Sequence, residues 1–150
     1  SFTGIELKPG LKQKAFEREL NNCIFIDPIP KAQLAELLKQ CHVGMMILDN
    51  VPAFYYGTSP NKFFDYISSG LPILNNYHGW LKEIITQNQC GVAVLPENPE
   101  AFANALIELA DHPEKRKEMG INARKLAISQ FARQDLSDSL VSFLEKVCDG

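Results

Sequence analysis

Long hydrophobic runs are missing from this 150-residue sequence. No apolar stretch approaches the roughly 18 residues that a bilayer span requires, and the N-terminus lacks the charged-then-apolar layout of a secretory signal. A surplus of positive charge is missing as well. Fifteen Lys+Arg stand against eighteen Asp+Glu, a formal net charge of -3, which argues against a general nucleic-acid binder or a polybasic membrane-surface protein. Any anion must therefore be met locally. Cysteine is sparse: Cys23, Cys41, Cys90 and Cys148 lie far apart, so the expectation is free thiols that pack, in a reducing compartment. His42, His78 and His112 show no metal-ligand spacing and there is no Asp-x-Asp, so neither a Mg²⁺ nor a Zn²⁺ site is expected. The dinucleotide Gly-x-Gly-x-x-Gly, the P-loop string and Gly-x-Ser-x-Gly are all absent, which counts against redox dinucleotide enzymes, NTPases and α/β-hydrolases. With 45% hydrophobic and 22% charged residues, what is there suits one globular domain, whose size suffices to bury roughly 70% of its extended-chain surface without disulfide or metal staples.

From Cys23 to Pro96 short apolar runs alternate with amphipathic ones, the rhythm of a βα repeat. Cys23-Ile24-Phe25-Ile26 reads as a strand, Leu34/Leu37/Leu38/Cys41 as a helix face, and Val43 to Leu48 as a strand apolar throughout, hence parallel and covered on both sides. Pro72 to Asn75 and Gly91 to Leu95 give two more strands. A helix through Ala15, Phe16 and Leu20 precedes them. After Pro96 the strands stop. Asn98-Pro99-Glu100 opens a helix with Phe102, Ala105, Leu106 and Leu109 on one face; Asp111, Pro113 and Glu114 open another in capping-box fashion. A last helix carries Leu136, Leu140, Phe143, Leu144 and Val147. The expected fold is α/β, a Rossmann-like parallel sheet flanked by helices, with a helical cover as the C-terminal third. About four strands are fewer than a doubly wound sheet normally has. Together with a start at Ser1 rather than Met, this leads us to expect a single partial domain, cut from something longer.

The richest segment runs from Asp49 to Gly70. If a strand ends at Leu48 and the next helix begins at Ser59-Pro60, the connection is longer than the usual βα loop, at the sheet end where α/β proteins bind ligands. Ser59 is the expected N-cap and Pro60 the first helical residue. Lys62 then falls in the first turn, where the exposed N–H groups and the macrodipole disfavour a cation. A phosphate at that helix mouth reverses the sign of the effect, because amides and ammonium then act on one charge. Gly57, without a Cβ, would let the anion approach the backbone. Asp65, one turn on, is placed to accept hydrogen bonds from a ribose diol; its plainer reading is an exposed i,i+3 pair with Lys62. Phe63, Phe64 and Ile67 supply the buried side of the helix. His78, in Asn75-Asn76-Tyr77-His78-Gly79 after a strand, faces the same edge; loop packing is favoured for it over a ligand role. Trp80 is expected to cap the core there. His42 is read as a structural helix-end residue and His112 as a first-turn surface residue.

The string from Tyr56 through Gly57-Thr58-Ser59-Pro60-Asn61-Lys62-Phe63-Phe64-Asp65 to Gly70-Leu71-Pro72-Ile73 resembles the donor-binding segment of retaining GT-B glycosyltransferases, the large glycosyl transferases group 1 family of sucrose synthases and lipopolysaccharide or capsule transferases. Gly79 to Ile85 and Cys90 to Val94 resemble that family's next helix and strand, and Asp111 to Phe131 its closing helices. The likeness extends from about Cys23 to Val147. It implies the donor-nucleotide domain of a hexosyl transferase using a nucleotide-diphosphate sugar, a UDP-sugar in our reading. The transfer would need no metal or other cofactor. The acceptor glycan or lipid-linked sugar would be bound by an N-terminal domain outside this chain, without which the chain alone would be inactive. By resemblance, the work is done on the cytoplasmic side, with peripheral association to the inner membrane face. Lys62 would be the catalytic residue, stabilising the leaving diphosphate. Gly57, Thr58, Ser59, Asn61, Lys62 and Asp65 would line the donor. Ile29, in the loop Asp27-Pro28-Ile29-Pro30, would meet the nucleobase, and His78 and Gly79 would form a donor-side loop. The family's paired glutamates map onto Gly57 and Asp65, so the carboxylate assigned to the transferred sugar is lacking. A non-catalytic nucleotide-binding or interaction module on a flavodoxin-like sheet is the alternative, and a purely structural domain the third reading.

Overall fold

The computed structural model describes residues 10–148, which divide into two compact units, one ending at Cys41 and the other starting at His42. In the first unit, α1 (Gly10–Glu17) buries Ala15 and leaves Phe16 exposed, and α2 (Lys31–Leu38) turns Leu34, Leu37 and Leu38 inward as its periodicity predicts. The expected strand Cys23 to Ile26 does not form. A single bridge residue, Phe25, is all that remains of it, with Ile24 exposed. A strand needs a continuous ladder partner, and among the described residues of this stretch Phe25 alone is bridged.

The second unit holds a parallel sheet of three strands, β1 (Gly44–Met46), β2 (Ile73–Asn75) and β3 (Gly91–Ala93), in that order. Each strand is shorter than the apolar run that contains it. In register, Gly44, Ile73 and Gly91 lie side by side, as do Met45, Leu74 and Val92, and Met46, Asn75 and Ala93. Because side chains alternate, Met45, Leu74 and Val92 face the opposite side from Met46 and Ile73. The larger core forms on the Met46 side. There α3 (Asn61–Ser68) delivers Phe63 and Ile67, α4 (Trp80–Gln87) delivers Leu81 and Ile85, and α6 (Pro113–Gln130) delivers Ala123, Leu126 and Ala127. Burying Phe63 and Ile67 contributes about 1.5–3 kcal/mol each. On the other face α5 (Pro99–Asp111) lays Ala105 and Leu109 against Leu74. The α/β class, the parallel sheet and the flanking helices are those expected, with three strands where about four were read.

Helix starts test the local chemistry. Asn98 caps α5, its side chain accepting from the Ala101 N–H at 2.9 Å, with Pro99 in the first turn as expected. For α6 the expected cap, Asp111, is still the last residue of α5, and His112 takes the position with no side-chain bond to the new helix. One residue joins the two helices, so Asp111 has no freedom to leave helical geometry. The ring Nδ1 of His112 lies 2.9 Å from the Glu108 carbonyl instead. His42 lies beyond the end of α2 rather than in it. The helical cover is likewise smaller than expected. Leu106 stays partly exposed, and α7 (Arg133–Cys148) leaves Leu136, Leu140, Phe143, Leu144 and Val147 all at least half exposed.

Candidate functional site

β1 and β2 are parallel neighbours, so the chain leaves their carboxyl ends side by side: residues 47–60 after one strand, residues 76–79 after the other. The second connection is laid against the first almost residue by residue. The Asn76 side chain imitates a peptide, accepting from the Leu48 N–H at 2.9 Å and donating to the Leu48 carbonyl at 3.1 Å. The Tyr77 hydroxyl donates to the Val51 carbonyl at 3.0 Å. Tyr55, at the end of a 3₁₀ turn (Pro52–Phe54), sets its ring edge-on to Tyr77 and His78, with centroids 5.1 and 5.4 Å away. Gly79, at φ +76°, meets the Tyr55 carbonyl so closely that a Cβ would stand 2.1 Å from its oxygen. Trp80 then donates its indole N–H to the Thr58 carbonyl at 2.6 Å, while its ring stacks edge-on to buried Phe63. On the surface the Tyr56 hydroxyl donates to Glu83 at 2.8 Å, and that carboxylate holds the Tyr56 pKa above its ordinary value.

This corner delivers the start of α3. Pro60, with extended φ and ψ of -72° and 127°, occupies the N-cap, and α3 begins at Asn61. Ser59 is therefore not the cap, and Pro60 is not the first helical residue. Proline's fixed φ suits the position before the first turn, and α3 receives no side-chain cap. Lys62 becomes the second helical residue, deeper in the positive end than its sequence position alone implied.

The turn before α3 consumes some of the amides expected to form the anion mouth. The Gly57 and Thr58 N–H groups both donate to the Phe54 carbonyl, at 3.2 and 2.9 Å, and Phe63 donates to Pro60 at 3.0 Å. Thr58 thus cannot offer its N–H to a ligand without giving up a turn. Pro60 has none. Among the described residues the Ser59, Asn61 and Lys62 amides donate to no protein group, and they form a run of free donors. The Lys62 side chain is exposed and has no ion pair among the described residues, and Asp65 is half-buried one turn on. Gly57 is exposed with nothing within 4 Å of a Cβ built on it.

The structure therefore groups Gly57, Thr58, Ser59, Asn61, Lys62 and Asp65 around one helix start, with His78 and Gly79 in the corner that supports it. Ile29 belongs to the first unit, half-buried between Phe25 and α2, and the strand expected to precede its loop is lacking. Sequence reasoning missed Tyr55, Asn76 and Tyr77 as positioning residues. Their signal was present: three consecutive aromatics, Phe54-Tyr55-Tyr56, in a connection require partners, and the aromatic-rich segment after β2 supplies them. No group of three or more His, Cys, Asp or Glu among the described residues could hold a metal ion.

A Rossmann-like parallel sheet with elaborated connections at its strand carboxyl ends is a scaffold for binding nucleotides and their derivatives. The sequence profile described as "Glycosyl transferases group 1" matches residues 4–126, and the chain belongs to that family. It is similar to the spore coat protein SA of Bacillus subtilis (strain 168), with 31% identity over 84 residues, a stretch that covers 55% of this chain and 22% of that relative. The matched stretch thus spans about a fifth of the relative's length.

Proposed function

We propose that this chain is a partial donor-nucleotide domain of a retaining, metal-independent GT-B glycosyltransferase that uses a nucleotide-diphosphate sugar, a UDP-sugar first among them, in building cell-surface polysaccharide or lipopolysaccharide. Family membership supports glycosyl transfer. The observation that carries the donor reading is the pairing of exposed Lys62 with the undonated Ser59, Asn61 and Lys62 amides at the carboxyl edge of β1. As the bond from sugar to diphosphate breaks, negative charge grows on the leaving oxygens; a preset cation and N–H donors stabilise that charge more than they stabilise the ground state. Lys62 supplies the cation and the three amides supply oriented dipoles. Thr58 contributes its carbonyl to the fold rather than its N–H to the ligand. Asp65 would accept from the ribose hydroxyls, and Gly57 leaves the transferred sugar without a carboxylate partner. The acceptor would be bound by another domain, so this chain alone would bind donor weakly and transfer nothing. In the whole protein the reaction would run on the cytoplasmic side of the membrane; among the described residues no helix is long and apolar enough to cross it.

An amide-resolved titration with UDP tests this. Shifts at Asn61, Lys62 and Asp65 that require more UDP to saturate in Lys62→Ala support donor binding. Silence at those amides up to millimolar nucleotide favours a non-catalytic module on the same sheet.

A further inference from the structure

We infer that Trp80, which lies in no segment assigned to the donor, is a positioning residue that aims the phosphate-facing amide of Ser59; this rests on the donor reading above. Thr58 C=O and Ser59 N–H belong to a single planar trans group, so the oxygen and the hydrogen point in opposite directions. The Trp80 indole fixes the oxygen at 2.6 Å. Its ring is itself held, packed edge-on to fully buried Phe63 at 5.5 Å and against the larger core. With the carbonyl pinned toward the core side, the Ser59 N–H faces away from it, on the exposed side, where Asn61 and Lys62 also present undonated amides.

Among the described residues no other hydrogen bond anchors this peptide. The preceding N–H groups, on Gly57 and Thr58, are satisfied inside the turn by Phe54, and the following residue, Pro60, has no N–H. Without the indole, the Thr58–Ser59 plane can rotate, trading its carbonyl hydrogen bond for one to water. The amide that should meet the diphosphate then spends part of its time turned inward. Lys62 is unaffected by such a rotation, because it lies beyond Pro60 on a helix seated by Phe63 and Ile67. Trp80 and Lys62 therefore act separately, one on the direction of a dipole and the other through charge.

The test is Trp80→Phe in the present chain, titrated in turn with UDP, GDP and ADP. Phenylalanine keeps an aromatic ring against Phe63 and lacks the donor. Where the smaller ring unsettles the fold, the sole tryptophan is replaced by benzothienylalanine, which keeps the bicyclic shape with sulfur in place of N–H. The expected result is faster hydrogen exchange at Ser59 and an about fivefold to tenfold weaker affinity for the preferred nucleotide, as one lost oriented hydrogen bond implies. The salt dependence of binding stays that of the wild type, whereas Lys62→Ala flattens it. Unchanged affinity and unchanged Ser59 exchange in the donor-less variants overturn the role of Trp80 while leaving the donor reading standing. A wild type whose Ser59 to Asp65 amides respond to none of the three nucleotides overturns both.

Discussion

Two glycines sit on either side of the candidate site, and they are there for opposite reasons. Gly79 is buried, at positive φ, with the Tyr55 carbonyl where a side chain would begin; Gly57 is exposed, with open space around it. The same contrast extends to their neighbours. Residues 76–80 are an interior mould whose every member holds a partner in the opposite connection, while residues 57–62 form a rim whose last amides and cation face outward. On the donor reading, stability is concentrated in the mould and ligand chemistry in the rim, so substitutions should separate the two almost completely.

The largest expected effect lies in the mould. Gly79→Ala forces a Cβ to within 2.1 Å of the Tyr55 oxygen at a φ of +76°, and should cost about 3 kcal/mol or more in urea unfolding. A loss below about 1 kcal/mol would mean that the two connections slide apart freely, and the contrast would fail. Next comes Tyr77→Phe, which keeps the ring beside Tyr55 but removes the bond to Val51; about 1 kcal/mol is expected by the same measurement. On the rim, Lys62→Glu relieves an unfavourable charge at the start of α3 and should leave stability unchanged or raise it by about 0.3–1 kcal/mol, while abolishing the UDP-induced amide shifts. Destabilisation by this change would move Lys62 into the mould. The smallest effect belongs to Gly57→Ala, which should stay within about 0.5 kcal/mol of the parent in thermal unfolding.

A pH experiment sharpens the same division from within the core. Burial pushes the Cys90 thiol up to about 11 from 9.0. Its folded pKa lies above the unfolded one, so the neutral thiol's contribution is complete below about 9 and is lost as the pH rises toward 11. Wild-type stability should therefore fall across that window more steeply than that of Cys90→Ala, as denaturant midpoints at pH 8 and pH 10.5 would show.

Much of this arrangement was legible in the residues, where local pattern and tertiary context agree. Phe63 and Ile67 recur at helical spacing and are buried, Asn98-Pro99 starts a helix, and the apolar run containing Met45 and Met46 is a parallel strand. The reading failed where a partner elsewhere decides the outcome. Ile24 to Ile26 has the composition of a strand and is bridged at Phe25 alone; α7 has the periodicity of a packed helix and leaves its stripe exposed. Pattern specifies which face would be buried, and only the remainder of the fold decides whether it is. At the site, Lys62 at a helix start could be read from its neighbours in sequence. The loss of the Thr58 amide to Phe54 could not, because it depends on a 3₁₀ turn created by the aromatic cluster. The likeness to a glycosyltransferase family was carried by ordered segments along the chain, and the family match covers them through residue 126.

The chain contains one tryptophan, and it is the residue hydrogen-bonded to the loop in front of α3. Its emission is consequently a native optical gauge of that joint. A ligand or variant that breaks the indole's link to Thr58 must change the colour or intensity of the light the protein gives off, with no label attached.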